Sequence, residues 1–351
     1  MKVFTTLPQD DLKKVPAAAA AAEDAGYDGL ITLENRHDPF LPLAVAATAT
    51  RRIALLTGVA IAFPRSPMVI ANLGWDLQSA SDGRFVLGLG SQVRGHNERR
   101  FSLSWSAPAP RMREYIGALR AIWRCWRDGE KLAFEGAHYN FSLMTPAFVP
   151  EPMSASPPAV TIGAVGPAML RVAAEMCDGV RLHPFCTRRY QENVVLPLIA
   201  GELEKRGQTR AGYEITGGGF IATGGDDEAV TEKVKWVRQR VAFYGSTRAY
   251  WPVLQQHGLE DLGHKLHAMV KSGKWQEMAN EISDDVLALF AVIGRHDEIA
   301  SAVAGRFAGL SDAVYASTTP DLGSDMPPGL IADIQRIPTS FCEFAADGAE
   351  S

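Results

Sequence analysis

The feature that most constrains this chain is a rhythm. Eight short apolar runs are separated by segments of helical spacing: KVFTTL (2–7), DGLITL (28–33), IALLTGVAIA (53–62), RFVLGLG (84–90), AVTIG (159–163), GVRLH (179–183), EITGGGFIATG (214–224) and DAVYAS (312–317). Most are continuously apolar rather than alternating, as expected of strands covered on both faces. Strands that alternate with helices make parallel sheets joined by crossovers. Eight such units predict an α/β fold, a single (β/α)8 TIM barrel. Between the runs, Met112, Tyr115, Ile116, Leu119, Ile122, Trp123 and Trp126 recur at steps of three and four, while Arg111, Arg113, Glu114, Arg120 and Arg124 fall on the other side. Val230, Val234, Val237 and Val241 repeat the pattern. Ser66-Pro67 and Gly166-Pro167 each set a capping residue before a proline suited to the first helical position. On this reading residues 1–319 form the barrel, with insertions at 131–158 and 245–290 that shape or cover a substrate site. Residues 320–351, rich in Pro, Gly and acid, form a C-terminal surface extension.

Charge and cysteine usage narrow the function. The net charge of −5 over 351 residues argues against a nucleic-acid partner. The four cysteines are scattered, with neither a disulfide framework nor a zinc pattern, which suits a reducing cytoplasm. No run approaches the roughly 18 uncharged apolar residues of a membrane span. HExxH, GxSxG and Walker patterns are absent, so no metal site is expected and a small-molecule enzyme with a borrowed cofactor is the reading that remains.

Barrel chemistry sits at the C-terminal ends of the strands. After the second run comes ENRHDPF, which brings Glu34, Asn35, Arg36 and His37 to the mouth. A carboxylate and an imidazole there could hold cofactor hydroxyls or move a proton. The competing reading pairs Glu34 with Arg36 and leaves His37 to cap a turn. In the third run, Gly58-Val59 marks either a bulge approached by a flat ligand or a glycine making room for a neighbour. The fourth ends in GLGSQVRGHNERRF, without the GxGxxG spacing of a dinucleotide fold. Ser91, Gln92 and a following cation still suit a phosphate or polyol. The turn Gly163-Ala164-Val165-Gly166 runs into a helix start that would point backbone N–H groups at an anion, or is an ordinary tight connection. His183, after the sixth run, is a second-rank candidate.

Taken together, ENRHDPF, TGVAIAFPRSPMVIAN, RFVLGLGSQVRGHNERRF and TIGAVGPAML resemble the luciferase-like flavin and deazaflavin oxidoreductases. GSQVRGHNERRF, PRMREYIGALRAIW and AFYGSTRAYWPVLQQHG are most similar to the branch that uses the 5-deazaflavin coenzyme F-420. The resemblance implies that Gly58 and Val59 form a bulge with a non-prolyl cis peptide behind the ring. It implies further that Ser91 and Gln92 lie near the ribityl chain and phosphate, and that Gly163, Ala164 and Val165 cradle the phosphate. Arg94 and His96 are then expected to meet the phosphate or the glutamyl tail, with Arg99 and Arg100 farther out. Relatives often place an acid directly before the histidine. Here Asn35 and Arg36 intervene, so His37 is the first choice for catalysis and Glu34 its partner. The implied activity is hydride transfer between coenzyme F-420 and a small organic substrate, in a homodimer. The alternatives are an FMN-dependent monooxygenase served by a separate flavin reductase and a noncatalytic flavin-binding protein.

Overall fold

A computed structural model describes residues 1–316 and 324–344. Eight parallel strands close into a ring: β1 (Lys2–Thr6), β2 (Gly29–Thr32), β3 (Ala54–Thr57), β4 (Phe85–Gly90), β5 (Ala159–Ala164), β6 (Gly179–Leu182), β7 (Glu214–Gly217) and β8 (Ala313–Tyr315). Neighbours pair in chain order, and Lys2 opposite Ala313 closes the ring between β1 and β8. The TIM barrel expected from the rhythm is the observed fold.

Side chains divide by the pleat. Phe4, Ile31, Leu56, Val86 and Ala313 point inward as a small core of their own. The alternate residues, Val3, Leu30, Leu55, Leu87, Val160 and Val180 among them, join the larger core beneath the helices. The helix Pro108–Asp128 buries Met112, Tyr115, Ile116, Leu119, Ile122, Trp123 and Trp126, the stripe read from spacing. Ser66 accepts a hydrogen bond from Met68 N–H at the start of Pro67–Ala80.

Two of the eight runs are broken. The third run stops at Thr57 and resumes as Ala60–Ile61, which pairs only with β4. The seventh run turns at Gly217 (φ +83°) and Gly218 (φ +98°), a backbone shape that side chains disfavour. Its second half, Phe220–Gly224, leaves the ring and pairs in parallel with Ala291–Arg295. Sequence reasoning misses that second strand, because its residues continue without a break the apolar run of the helix Asp284–Phe290 before it. The segment 131–158 carries a two-stranded hairpin, and 245–290 carries the helices Trp251–Gln255, Glu260–Lys271 and Asp284–Phe290. The boundary expected at 319 lies outside the described residues. Beyond it, the helix Pro328–Gln335 buries Leu330, Ile331 and Ile334, a spacing that the Pro and Gly around it conceal. Part of the segment read as a surface extension therefore packs against the barrel.

Candidate active site

At the end of β2, the Glu34 side chain turns toward the third strand. Its carboxylate accepts from Arg65 Nη1 at 2.7 Å and from the Ile61 N–H at 2.6 Å, with the side chain only 7% exposed. Arg65 Nη2 also reaches Asp38 at 3.0 Å, and Asp38 Oδ1 accepts from the N–H groups of Phe40 and Leu41. Glu34 therefore pairs with Arg65, not Arg36, and ties the loop after β2 to the far side of the β3 break. His37 is exposed three residues on, as are Asn35 and Arg36. Glu34 and His37 share a loop but not a contact.

The break itself is the Gly58–Val59 peptide, which is cis. A Cβ on Gly58 would fall inside the Ile31 side chain, so a larger residue at this inward position requires Ile31 to move. The Val59 side chain lies over Gly90, and its Cγ1 is 3.4 Å from where a Cβ on Gly163 would stand. Glycines at three strand ends thus clear a floor at the mouth, with Val59 laid across it.

Beneath that floor is a charge. Arg181 points inward from β6, is 3% exposed, and its guanidinium meets the Tyr315 phenol but no carboxylate. The inward side of Gly88 is filled by the Thr57 carbonyl and by Arg181 Nε, which stands 2.8 Å from the position a Cβ would take. The guanidinium accordingly lies against the backbone that leads into the Gly58–Val59 break. Sequence reasoning misses this arginine; the signal for it is a lone charge within the otherwise apolar run GVRLH.

After β4, Gln92 adopts φ +55° and its side-chain oxygen accepts from Val93 N–H. Asn97, almost wholly buried, donates to Ser91 O at 2.9 Å and Val93 O at 3.2 Å, and so braces the turn. Sequence reasoning missed it, since an asparagine among arginines carries no pattern. Arg94 is exposed and pairs with Glu98. An open hollow of about 430 Å³ is lined instead by Val93, Gly95, His96, Arg99 and Arg100. Arg100 reaches across to Asn35 O at 2.6 Å, so this basic patch adjoins the loop that carries His37.

At the end of β5, Gly163–Gly166 lead into the helix Pro167–Met176, and Val165 O accepts from the Tyr190 hydroxyl at 2.8 Å. The Gly166 position leaves open space where a Cβ would be. At the end of β6, the inward column continues from Arg181 to His183. Its Nδ1 accepts from Phe185 N–H at 2.9 Å, which places the neutral ring's proton on Nε2. Burial pushes its pKa down to about 3, so it stays uncharged at neutral pH. Tyr244 and Tyr250 wall it in, with centroids 4.3 and 4.8 Å away. Both tyrosines belong to the segment that rises from Phe220–Gly224. Among the described residues no group of three His, Cys, Asp or Glu could hold a metal ion, and no helix is long and apolar enough to cross a membrane.

Residues 2–312 match the family described as luciferase-like monooxygenase. An uncharacterised protein of Mycobacterium tuberculosis is 46% identical over 314 residues, covering 90% of this chain and 92% of its own. A 5,10-methylenetetrahydromethanopterin reductase of Archaeoglobus fulgidus is 28% identical over 290 residues, 79% of this chain and 81% of its own. The coenzyme F-420 dependent tetrahydromethanopterin reductase of Methanopyrus kandleri superposes with a TM-score of 0.75 at 18% identity, covering 96% of this chain and 97% of the other.

Proposed function

This chain belongs to the luciferase-like monooxygenase family, and from that premise we propose that it is an oxidoreductase of the deazaflavin branch, using coenzyme F-420 to reduce or oxidise a small organic molecule. The observation that carries the reading is the glycine-cleared floor at Gly58, Gly90 and Gly163, with Val59 laid over it. A flat ring needs such a platform, and a Cβ at Gly58 or Gly90 would displace the Ile31 or Val59 side chain that shapes it. A relative named as a putative coenzyme F420-dependent oxidoreductase supports the deazaflavin over FMN.

In this reading Gly58 and Val59 back the ring, Ser91 and Gln92 meet the polyol, and Gly163, Ala164, Val165 and Gly166 hold the phosphate. The hollow of His96, Arg99 and Arg100 takes the anionic tail, and Arg94, occupied by Glu98, contributes less. The cofactor, when bound, supplies hydride chemistry at ring carbon C-5. The chain supplies the rest. His37, exposed at the mouth, moves a proton. Glu34, whose carboxylate is held by Arg65 and Ile61, fixes the loop that carries His37. His183, neutral and flanked by Tyr244 and Tyr250, forms the substrate side of the mouth with an N–H donor on an aromatic wall.

Equilibrium titration with coenzyme F-420 and with FMN, followed by protein and cofactor fluorescence, tests the reading. Tighter binding of F-420 is expected. A clear preference for FMN would transfer the protein to the monooxygenase alternative. The homodimer stands as a proposal too, and sedimentation showing a monomer at working concentrations would remove it.

A further inference from the structure

Arg181 is the polar group in this barrel that the local structure explains least. A desolvated guanidinium without an anionic partner is among the costliest groups a core can hold. The groups that face it offer no counter-ion. On β8, the Tyr315 phenol lies beside it as a neutral acceptor; burial raises the pKa of that phenol, and the guanidinium's charge and hydrogen bond pull it down. On β7, Thr216 stands opposite Arg181 in register, and Glu214, one step lower, is already engaged by Lys2 Nζ and Thr216 Oγ1, each at 3.1 Å. On β4, Gly88 contributes no side chain. Two residues up its own strand, His183 is uncharged. No carboxylate therefore answers the charge from these strands, and it sits under the floor on which the proposed ring rests.

We propose that Arg181 is the buried counter-charge for an ionised cofactor ring, acting through the Thr57–Val59 backbone to favour the anionic form. The inference rests on the deazaflavin reading above. Deazaflavin carries an acidic ring hydroxyl conjugated with its pyrimidine-dione end, and reduced flavin carries an acidic ring N–H. In both, ionisation spreads negative charge over the ring. A fixed cation in a region of low polarisability stabilises that charge without having to reorganise. Because Arg181 is buried and Val59 closes the space above Gly90 and Gly163, it tunes the ring from below rather than touching a substrate that arrives from above.

The test reads the ring and not turnover. Oxidised coenzyme F-420 bound to the full chain is titrated with pH and its ionisation followed by absorbance, beside the free cofactor. In the parent protein the bound ring is expected to ionise at least one pH unit below the free one, a tenfold preference for the anion. Arg181→Met should abolish that shift, and Arg181→Lys should keep part of it. A parent protein that binds the cofactor without lowering its ionisation overturns the inference and needs no variant to fold. So does an Arg181→Met protein whose bound ring titrates like the parent's; the guanidinium is then a structural group solvated by buried water. If the parent binds neither F-420 nor FMN, the functional reading itself falls and takes the inference with it.

Discussion

Replacing Glu34 by Gln separates a residue that moves protons from one that holds a loop. The structure gives its carboxylate two charge-assisted hydrogen bonds, to Arg65 Nη1 and to the Ile61 N–H. A glutamine keeps an acceptor of the same shape but gives up the charge. Hydrogen bonds to a charged group are worth about 1 kcal/mol more than neutral ones, so two of them set the loss near 2 kcal/mol. Removing one partner of a fully buried ion pair costs about 3–5 kcal/mol. The smaller figure applies here, because Arg65 keeps Asp38 at 3.0 Å and is itself 19% exposed. Urea unfolding of the cofactor-free protein should therefore show a loss of about 2 kcal/mol. Turnover at saturating cofactor should survive to within a few-fold, since His37 and the floor remain. Arg65→Lys should lose a similar amount, as an ammonium cannot span both carboxylates as the guanidinium fork does. Unchanged stability with abolished turnover would refute the reasoning and return Glu34 to the proton path.

Four further outcomes are expected. His37→Ala should lower turnover about 100-fold with little change in cofactor affinity; parent-like turnover would remove it from the mechanism. Gly58→Val should drive Ile31 from its place and abolish cofactor binding, measured by fluorescence titration on protein whose circular dichroism is unchanged. Arg99→Ala with Arg100→Ala should weaken F-420 more than Arg94→Ala does, with a deficit that shrinks at high salt as the lost attraction is screened; equal effects would detach the hollow from the tail. His183 carries a pH signature. Its folded pKa of about 3 lies below the ordinary 6.5, so its contribution to stability is complete above pH 6.5 and declines as pH falls from 6.5 toward 3. The slope is at most about 1.4 kcal/mol per pH unit, and less because the residue is only half-buried. His183→Gln should flatten stability between pH 6.5 and 5, and an unaltered pH profile would show that the imidazole is not desolvated.

The fold was legible because its determinants are local and repeated. Eight apolar runs and their amphipathic covers admit few packings, and the barrel followed. Gly58-Val59 was legible for a similar reason, since a glycine inside a run of larger apolar residues asks for an explanation. The partners of the site residues were not. Glu34 finds Arg65 thirty-one positions away, across a helix and the broken third strand, whereas the sequence offered the nearby Arg36. Arg94, nearest the strand end in sequence, turns back to Glu98 one helical turn on, while Arg99 and Arg100 come round to the hollow. Pairings of this kind depend on where the closed ring brings chain segments together, and no spacing within one segment records them.

The short sheet of Phe220–Gly224 and Ala291–Arg295 sets the two ends of a long excursion side by side, with Phe220 opposite Ala291 and Gly224 opposite Arg295. Everything between them leaves the barrel and returns through one small clasp, including Tyr244 and Tyr250. The entropy of closing a loop rises only slowly with its length, so a different stretch of chain held by the same clasp would weigh little on the barrel beneath. The cover over the mouth is in effect a cassette. A different stretch could take its place while the glycine floor and the buried arginine stay as they are.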